Sequence, residues 1–126
     1  MSVPVRTATP ADRRAVIALL DSAILSFDRE AISERIADDA VYVDDTPDMI
    51  RGALVRNDRL ITALAVRHWA RGDGIGTALV EAALADVPAL HATCESALEP
   101  FYASLGFRLY RLPDGRLIGR RSGCGS

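Results

Sequence analysis

Apolar residues in the first third of the chain follow the spacing of a strand and then of two helices. Residues 3–8 (VPVRTA) predict a short strand. The next apolar residues recur at helical intervals: Ala15, Val16, Leu19, Leu20 and Ala23. Thr9, Pro10 and Asp12 precede them with the residue types that begin a helix. A second helix is predicted after Asp28, with Ile32 and Ile36 on one face.

Three consecutive strands are predicted next. They cover residues 41–43 (VYV), 49–56 (MIRGALVR) and 59–69 (RLITALAVRHW). Between the first two, DDTPD predicts a hairpin turn in which Asp44 and Asp45 are solvated. Asn57 and Asp58 form the second turn. The third strand is the most apolar of the three, which favours a central place in the sheet.

A glycine-rich stretch, RGDGIG at 71–76, separates that strand from a predicted helix at 77–86 and a strand at 89–94. Strand, helix and strand of this length predict a right-handed parallel crossover. A short helix from Glu99 follows, with Gly106 as its left-handed cap. Residues 107–112 and 116–121 flank Pro-Asp-Gly and predict a closing hairpin. The predicted order is β-α-α-β-β-β-α-β-α-β-β.

Size and charge restrict the class of protein. The 126 residues indicate one domain, at 1–121, with a flexible tail at 122–126. A net charge of -2, with no signal peptide and no long apolar run, predicts a cytoplasmic protein that binds neither nucleic acid nor membrane. Cys94 is expected to be a buried apolar residue, and the cysteines and histidines lack zinc-site spacing. All 15 basic residues are arginine, which reflects either genome composition or salt adaptation.

The glycine-rich stretch has three possible phosphate-binding interpretations beside that of a simple tight turn. A Walker A loop is excluded because the chain has no lysine. A dinucleotide fingerprint fits poorly, since Thr77 stands where its third glycine belongs and the chain is short. The third interpretation needs only a strand end, a glycine loop and a helix N-terminus, whose N–H groups and dipole bind a pyrophosphate.

Two motifs resemble those of the GNAT superfamily of acetyl-CoA-dependent N-acetyltransferases. RGDGIG fits the pattern Arg/Gln-x-x-Gly-x-Gly through Arg71, Gly74 and Gly76, and FYASLGF at 101–107 resembles the family's second signature. The order and separation of the motifs also fit. The resemblance implies a mixed sheet of six to seven strands flanked by about four helices, with splayed central strands.

The resemblance also implies a role for each matched position. Acetyl-CoA is the expected cosubstrate, its pyrophosphate bound by the loop and helix start: Arg71, Gly72, Asp73, Gly74, Ile75, Gly76 and Thr77. The backbone at Ala65 and Val66 would bind the pantetheine, and the Val66 N–H would also stabilise the oxyanion. Tyr102 would protonate the leaving thiolate.

Several positions depart from the family's pattern and leave alternatives open. Asp73 places a carboxylate in a phosphate loop, and His68 is either a solvent-facing strand end or a proton acceptor. Glu95 is either a general base or a partner of the nearby helix start. Trp69 either packs or contacts adenine. Tyr102 has the alternative of a core ring with its hydroxyl at the edge.

Two classes of function follow. The first is acetyl transfer to the primary amine of a small molecule or peptide, by a monomer or homodimer. The acceptor would contact SAILSFDRE at 22–30 and the closing hairpin near Asp114, with its cationic amine favoured by acidic residues: Asp21, Asp28, Asp44 and Asp45. The second is a module that binds acyl-CoA as a sensor or has lost catalysis.

Overall fold

The computed structural model describes residues 5–22, 29–47, 49–67 and 74–122. Their helices are α1 (Arg13–Ser22), α2 (Arg29–Ala37), α3 (Ile75–Leu84) and α4 (Glu99–Ser104), with single 3-10 turns at Pro10–Asp12 and Ser96–Leu98. Their strands are β1 (Val5–Thr7), β2 (Val41–Asp45), β3 (Ile50–Asn57), β4 (Leu60–Val66), β5 (Ala89–Cys94), β6 (Arg108–Arg111) and β7 (Leu117–Ser122). No helix within these ranges is long and apolar enough to cross a bilayer.

The strands form one seven-stranded mixed sheet in the order β1-β2-β3-β4-β5-β7-β6. All neighbours are antiparallel except β4 and β5, which are parallel and joined through α3. The predicted order of helices and strands is therefore confirmed, as is the α/β fold class. The Gly106 cap is also confirmed, with a φ of 89°.

Each face of the sheet carries its own core. On one face, α1 and α2 pack over the first half of the sheet, with Leu19, Leu20 and Val43 completely or almost completely buried. On the other face, α3 and α4 cover a core that includes Leu54, Leu79 and Leu90. The first half of the sheet is thus covered on both sides, which explains the near-continuous apolar runs of its strands.

The two parallel strands diverge toward their carboxyl ends. Within the described residues, their one register pair is Leu60 with His91, where the His91 N–H donates to the Arg59 carbonyl at 2.7 Å. Past this pair β4 runs on to Val66 and β5 to Cys94 without further pairing between them. The splayed central strands implied by the resemblance are present, and they interrupt the hydrogen-bonded ladder in the middle of the sheet; we call this interruption the gap.

The expectation that Asp44 and Asp45 lie in a solvated turn is wrong. Both belong to β2, and Asp44 is 0% exposed. Its carboxylate accepts hydrogen bonds from the Arg51 Nε and Nη2 at 2.7 and 3.3 Å, across a register shift in the β2–β3 pair. The charge is buried because an arginine seven positions along the chain pairs with it. β7 ends at Ser122 and so includes the first residue of the predicted tail at 122–126.

Candidate active site

The backbone of β4 presents two residues to the gap. The Arg67 N–H donates to the Arg51 carbonyl at 2.7 Å, so these two residues form a hydrogen-bonded pair of the β3–β4 ladder. Such pairs alternate with pairs whose polar groups point away from each other. By this alternation, Ala65 forms a hydrogen-bonded pair with β3. Leu64 and Val66 belong to the alternate pairs, so their N–H and C=O groups are directed toward β5. On this register the backbone polar groups of Val66 are directed toward β5, and those of Ala65 toward β3.

The amino end of α3 lies beside this gap. Gly74 precedes the helix in the left-handed conformation, with a φ of 78°, and its carbonyl accepts the Ala78 N–H at 3.0 Å. Ala78 is the first residue of the helix to make this bond, so the N–H groups of Ile75, Gly76 and Thr77 have no acceptor within the helix. They are oriented N–H donors at the positive end of the helix dipole, where an anion binds favourably.

Gly52 sets how closely α3 approaches the sheet. It pairs with Val66 in the middle of the sheet, and a Cβ built on it would lie 2.9 Å from the Ile75 Cγ2 and 3.1 Å from the Leu79 Cδ1. A glycine inside a strand marks such a close approach. Gly76 has a comparable role, because a Cβ there would lie 3.1 Å from the Leu105 Cδ2 of the segment that follows α4. The two glycines therefore fix α3 against the sheet and α4.

Tyr102 lies within α4, which packs on the same face of the sheet as α3. Its ring is 9% exposed and makes edge-to-face contacts with Phe101 and Phe107, at centroid distances of 5.2 and 5.6 Å. Burial, and then the neighbouring Cys94, raise the pKa of its phenol. Among the residues that the structure describes, none exchanges a hydrogen bond with the hydroxyl. The side chain is therefore a protonated donor at neutral pH.

Cys94 is confirmed as a buried residue, 5% exposed, at the carboxyl end of β5. Burial raises the pKa of its thiol, so the sulfur is a neutral thiol at pH 7 and a weak nucleophile. Glu95 follows it as an exposed residue at the N-cap position of the 3-10 turn at Ser96–Leu98, where its backbone carbonyl accepts the Leu98 N–H at 2.9 Å and its side chain makes no capping hydrogen bond. The structure thus brings Glu95 and Tyr102 to the same end of β5, with Glu95 in solvent.

Some predicted residues fall outside the described ranges. These are Arg71, Gly72, Asp73, His68 and Trp69. Thr77 lies in the first turn of α3 and is half-buried.

Three of the four acidic residues expected to favour a cationic amine pair with arginines. Asp21 pairs with Arg29 at 2.6 Å, and Asp45 pairs with Arg6 at 2.8 Å. Asp44 is buried against Arg51, as described above, and Asp28 is outside the described ranges. The carboxylates of Asp21, Asp44 and Asp45 are thus paired within the fold, and these three residues give no support for selection of a cationic acceptor.

Sequence reasoning missed two contributors to the site. The Leu64 backbone faces the gap, but this follows from the pairing of β4 with β3 and has no local sequence signal. Gly52 did carry a signal, since a glycine inside an apolar strand is unfavourable without a steric reason. Within the described ranges, no three histidine, cysteine or acidic residues are grouped as they would be to hold a metal ion.

Comparison with known proteins agrees with this geometry. The sequence model described as an acetyltransferase (GNAT) domain matches residues 15–113. No curated protein matches the chain. Among solved structures, a GNAT family acetyltransferase from Listeria monocytogenes is 18% identical with a TM-score of 0.72, covering 94% of this chain and 93% of that one.

Two further solved structures are similar to the chain over most of its length. A ribosomal-protein-alanine N-acetyltransferase from Brucella melitensis is 21% identical with a TM-score of 0.71, covering 94% of this chain and 98% of that one. N-acetylglutamate synthase from Neisseria gonorrhoeae, complexed with coenzyme A and N-acetyl-glutamate, is 18% identical with a TM-score of 0.77, covering 97% of this chain and 35% of that one. At these identities the likeness concerns the fold, whereas the matched sequence model covers most of the chain. The chain belongs to the GNAT acetyltransferase family.

Proposed function

We propose that the protein transfers an acetyl group from acetyl-CoA to a primary amine, with the gap between β4 and β5 as the cosubstrate site. The observation that carries the proposal is the divergence of the two strands past Leu60 and His91, with backbone groups of β4 directed into the opening. The coenzyme A bound by the Neisseria gonorrhoeae N-acetylglutamate synthase supports the same cosubstrate.

The cosubstrate binds at the start of α3 and along the backbone of β4. The N–H groups of Ile75, Gly76 and Thr77 bind the pyrophosphate, together with the preceding loop at Arg71–Asp73. The pantetheine extends beside β4, where Leu64 and Val66 exchange hydrogen bonds with its amides as a neighbouring strand would. Ala65 contributes to the shape of the site but forms no hydrogen bond with the pantetheine, because its backbone polar groups belong to the β3–β4 ladder.

The reaction needs a donor for the oxyanion and a proton for the leaving thiolate. The amine attacks the thioester carbon, and the Val66 N–H donates to the carbonyl oxygen as it becomes negative. As the carbon–sulfur bond breaks, Tyr102 gives its proton to the thiolate. The amine loses its proton to water or to the exposed Glu95. Alignment of the two reactants supplies a further share of the rate enhancement.

The proposal is tested by thiol release from acetyl-CoA across amines, amino acids, aminoglycosides and peptides, with thermal stabilisation by CoA measured on the same protein. We expect stabilisation by CoA and turnover with at least one amine. Stabilisation without turnover on the panel would favour the alternative of an acyl-CoA sensor. Folded protein with neither property would contradict the proposal.

A further inference from the structure

Half of one face of the sheet is covered by none of the described helices. On the side of α1 and α2, these helices pack over β2 to β4 and stop there. Beyond the gap, that side of β5, β7 and β6 presents the cross-strand row Thr93, Ile118 and Tyr110, and next to it the row His91, Arg120 and Arg108. Tyr110 is 58% exposed. We call these two rows the outer face.

The outer face begins at the gap itself. Thr93 lies two positions past His91, the last residue of β5 that pairs with β4, so its side chain stands where the strands have separated. Cross-strand partners share a face, which continues the surface from Thr93 across Ile118 to Tyr110. A molecule that places an amine in the gap from this side has its remaining atoms over these residues.

The outer face is cationic. Arg120 and Arg108 are directly opposite each other on β7 and β6, an arrangement that is unfavourable for like charges. Arg116 reaches the end of the gap, with its Nη2 3.5 Å from the Thr93 Oγ1. In the described part of the chain, none of these three arginines forms an ion pair.

Within the described residues, no carboxylate at this end lies within ion-pairing distance of these three arginines. The Asp114 carboxylate accepts the backbone N–H of Arg116 at 2.9 Å, and Glu95 and Glu99 are exposed after β5. The carboxylates of Asp21, Asp44 and Asp45 have other arginine partners. The positive charge beside the gap is therefore available to a ligand.

We propose that the acceptor is an amine whose adjoining part carries carboxylates, and that the outer face binds that part. The proposal rests on the proposed acetyl transfer and names its substrate class. Arg116 stands at the gap end of the face, and the row of Arg120 and Arg108 lies about 7 Å from the row of Thr93, two residues along the strand. A free acidic amino acid reaches Arg116 alone, whereas an extended acidic peptide also reaches Arg120 and Arg108.

The test compares acceptors that differ only in charge. Thiol release is measured with peptides that begin with alanine followed by glutamates, by glutamines or by lysines, and with free glutamate and glutamine. We expect the glutamate peptide to have the highest kcat/KM, with an advantage that shrinks as added salt screens the charges. Free glutamate as the better acceptor would place recognition at Arg116, and the glutamate peptide as the better acceptor would place it on the whole face.

Variants locate the effect on the surface. Arg116→Gln together with Arg120→Gln should lower kcat/KM for the glutamate peptide by about three- to tenfold, as expected for two exposed charge contacts, and leave the glutamine peptide unchanged. Arg111→Gln is the matched control, because Arg111 is on the same hairpin but its side chain alternates to the opposite face.

Two results would overturn the proposal separately. Equal or better turnover of the glutamine or lysine peptides would reject the acidic acceptor while the acetyltransferase stands. A folded protein without CoA binding or turnover would reject the acetyltransferase itself, and the acceptor class with it.

Discussion

Replacing Gly52 with alanine tests whether the position of α3 controls cosubstrate binding. The added Cβ would lie 2.9 Å from the Ile75 Cγ2, whereas ordinary contacts are at 3.4–4 Å. Ile75 is β-branched and its χ1 is restricted, so the methyl group cannot simply rotate away. The amino end of α3 must therefore move from the sheet by roughly 0.5–1 Å to restore a normal contact.

The expected consequence is weaker CoA binding together with a moderate loss of stability. The displaced N–H groups of Ile75, Gly76 and Thr77 no longer match the pyrophosphate, and a misplacement of about 1 Å can cost up to about 100-fold. We expect about tenfold weaker binding of CoA by isothermal titration calorimetry. Overpacking should cost about 1–3 kcal/mol, partly offset by the removal of a glycine from a strand.

Gly119→Ala is the control. Its Cβ would lie 2.8 Å from the Leu109 Cδ2, a similar crowding within the same sheet but on β7, and Leu109 can change its rotamer. We expect a smaller fall in melting temperature and unchanged CoA affinity. If Gly52→Ala binds CoA as tightly as the unmodified protein while its melting temperature falls, the assignment of CoA to the start of α3 is refuted.

Two further predictions concern buried polar groups. Asp44→Asn should lower the free energy of unfolding by about 2–3 kcal/mol in urea denaturation, because it removes the buried counter-charge of Arg51. The control variant Asp45→Asn should lower it by less than about 1 kcal/mol. Equal losses in the two variants would contradict the buried pair. Burial, and then the hydrogen bond to Asp86, raise the pKa of Tyr42 from 10.0 to about 12. Because the unfolded state loses this proton at a lower pH than the folded state, the free energy of unfolding should fall between pH 10 and 12. Tyr42→Phe should make that fall less steep. An unchanged slope would show that Tyr42 does not contribute to it.

The order of elements could be predicted because its signals are local. Turn residues mark the hairpins, helical spacing marks α1 to α3, and the glycine-rich stretch marks the crossover. The burial of Asp44 could not be predicted, because the turn-like composition DDTPD is overridden by a partner on the next strand. Local propensity yields to such tertiary contacts.

The candidate site could also be predicted only in part. The motifs identified the start of α3 and Tyr102, and in the structure both elements belong to the core on one face of the sheet. The motifs did not show which residues of β4 face the gap, because that depends on whether Val66 or Ala65 bonds to β3. A shift of one residue in the register would exchange them.

The most direct test of the account is the Tyr102→Phe variant, measured for steady-state acetyl transfer to the best amine and for CoA affinity. The ring contacts with Phe101 and Phe107 remain and only the hydroxyl is lost. The account predicts a kcat lower by about 100-fold, with CoA affinity within about twofold of the unmodified protein. An unchanged kcat would contradict the role of Tyr102 as the acid, and a loss of CoA affinity without a loss of kcat would show that its hydroxyl binds the cosubstrate instead.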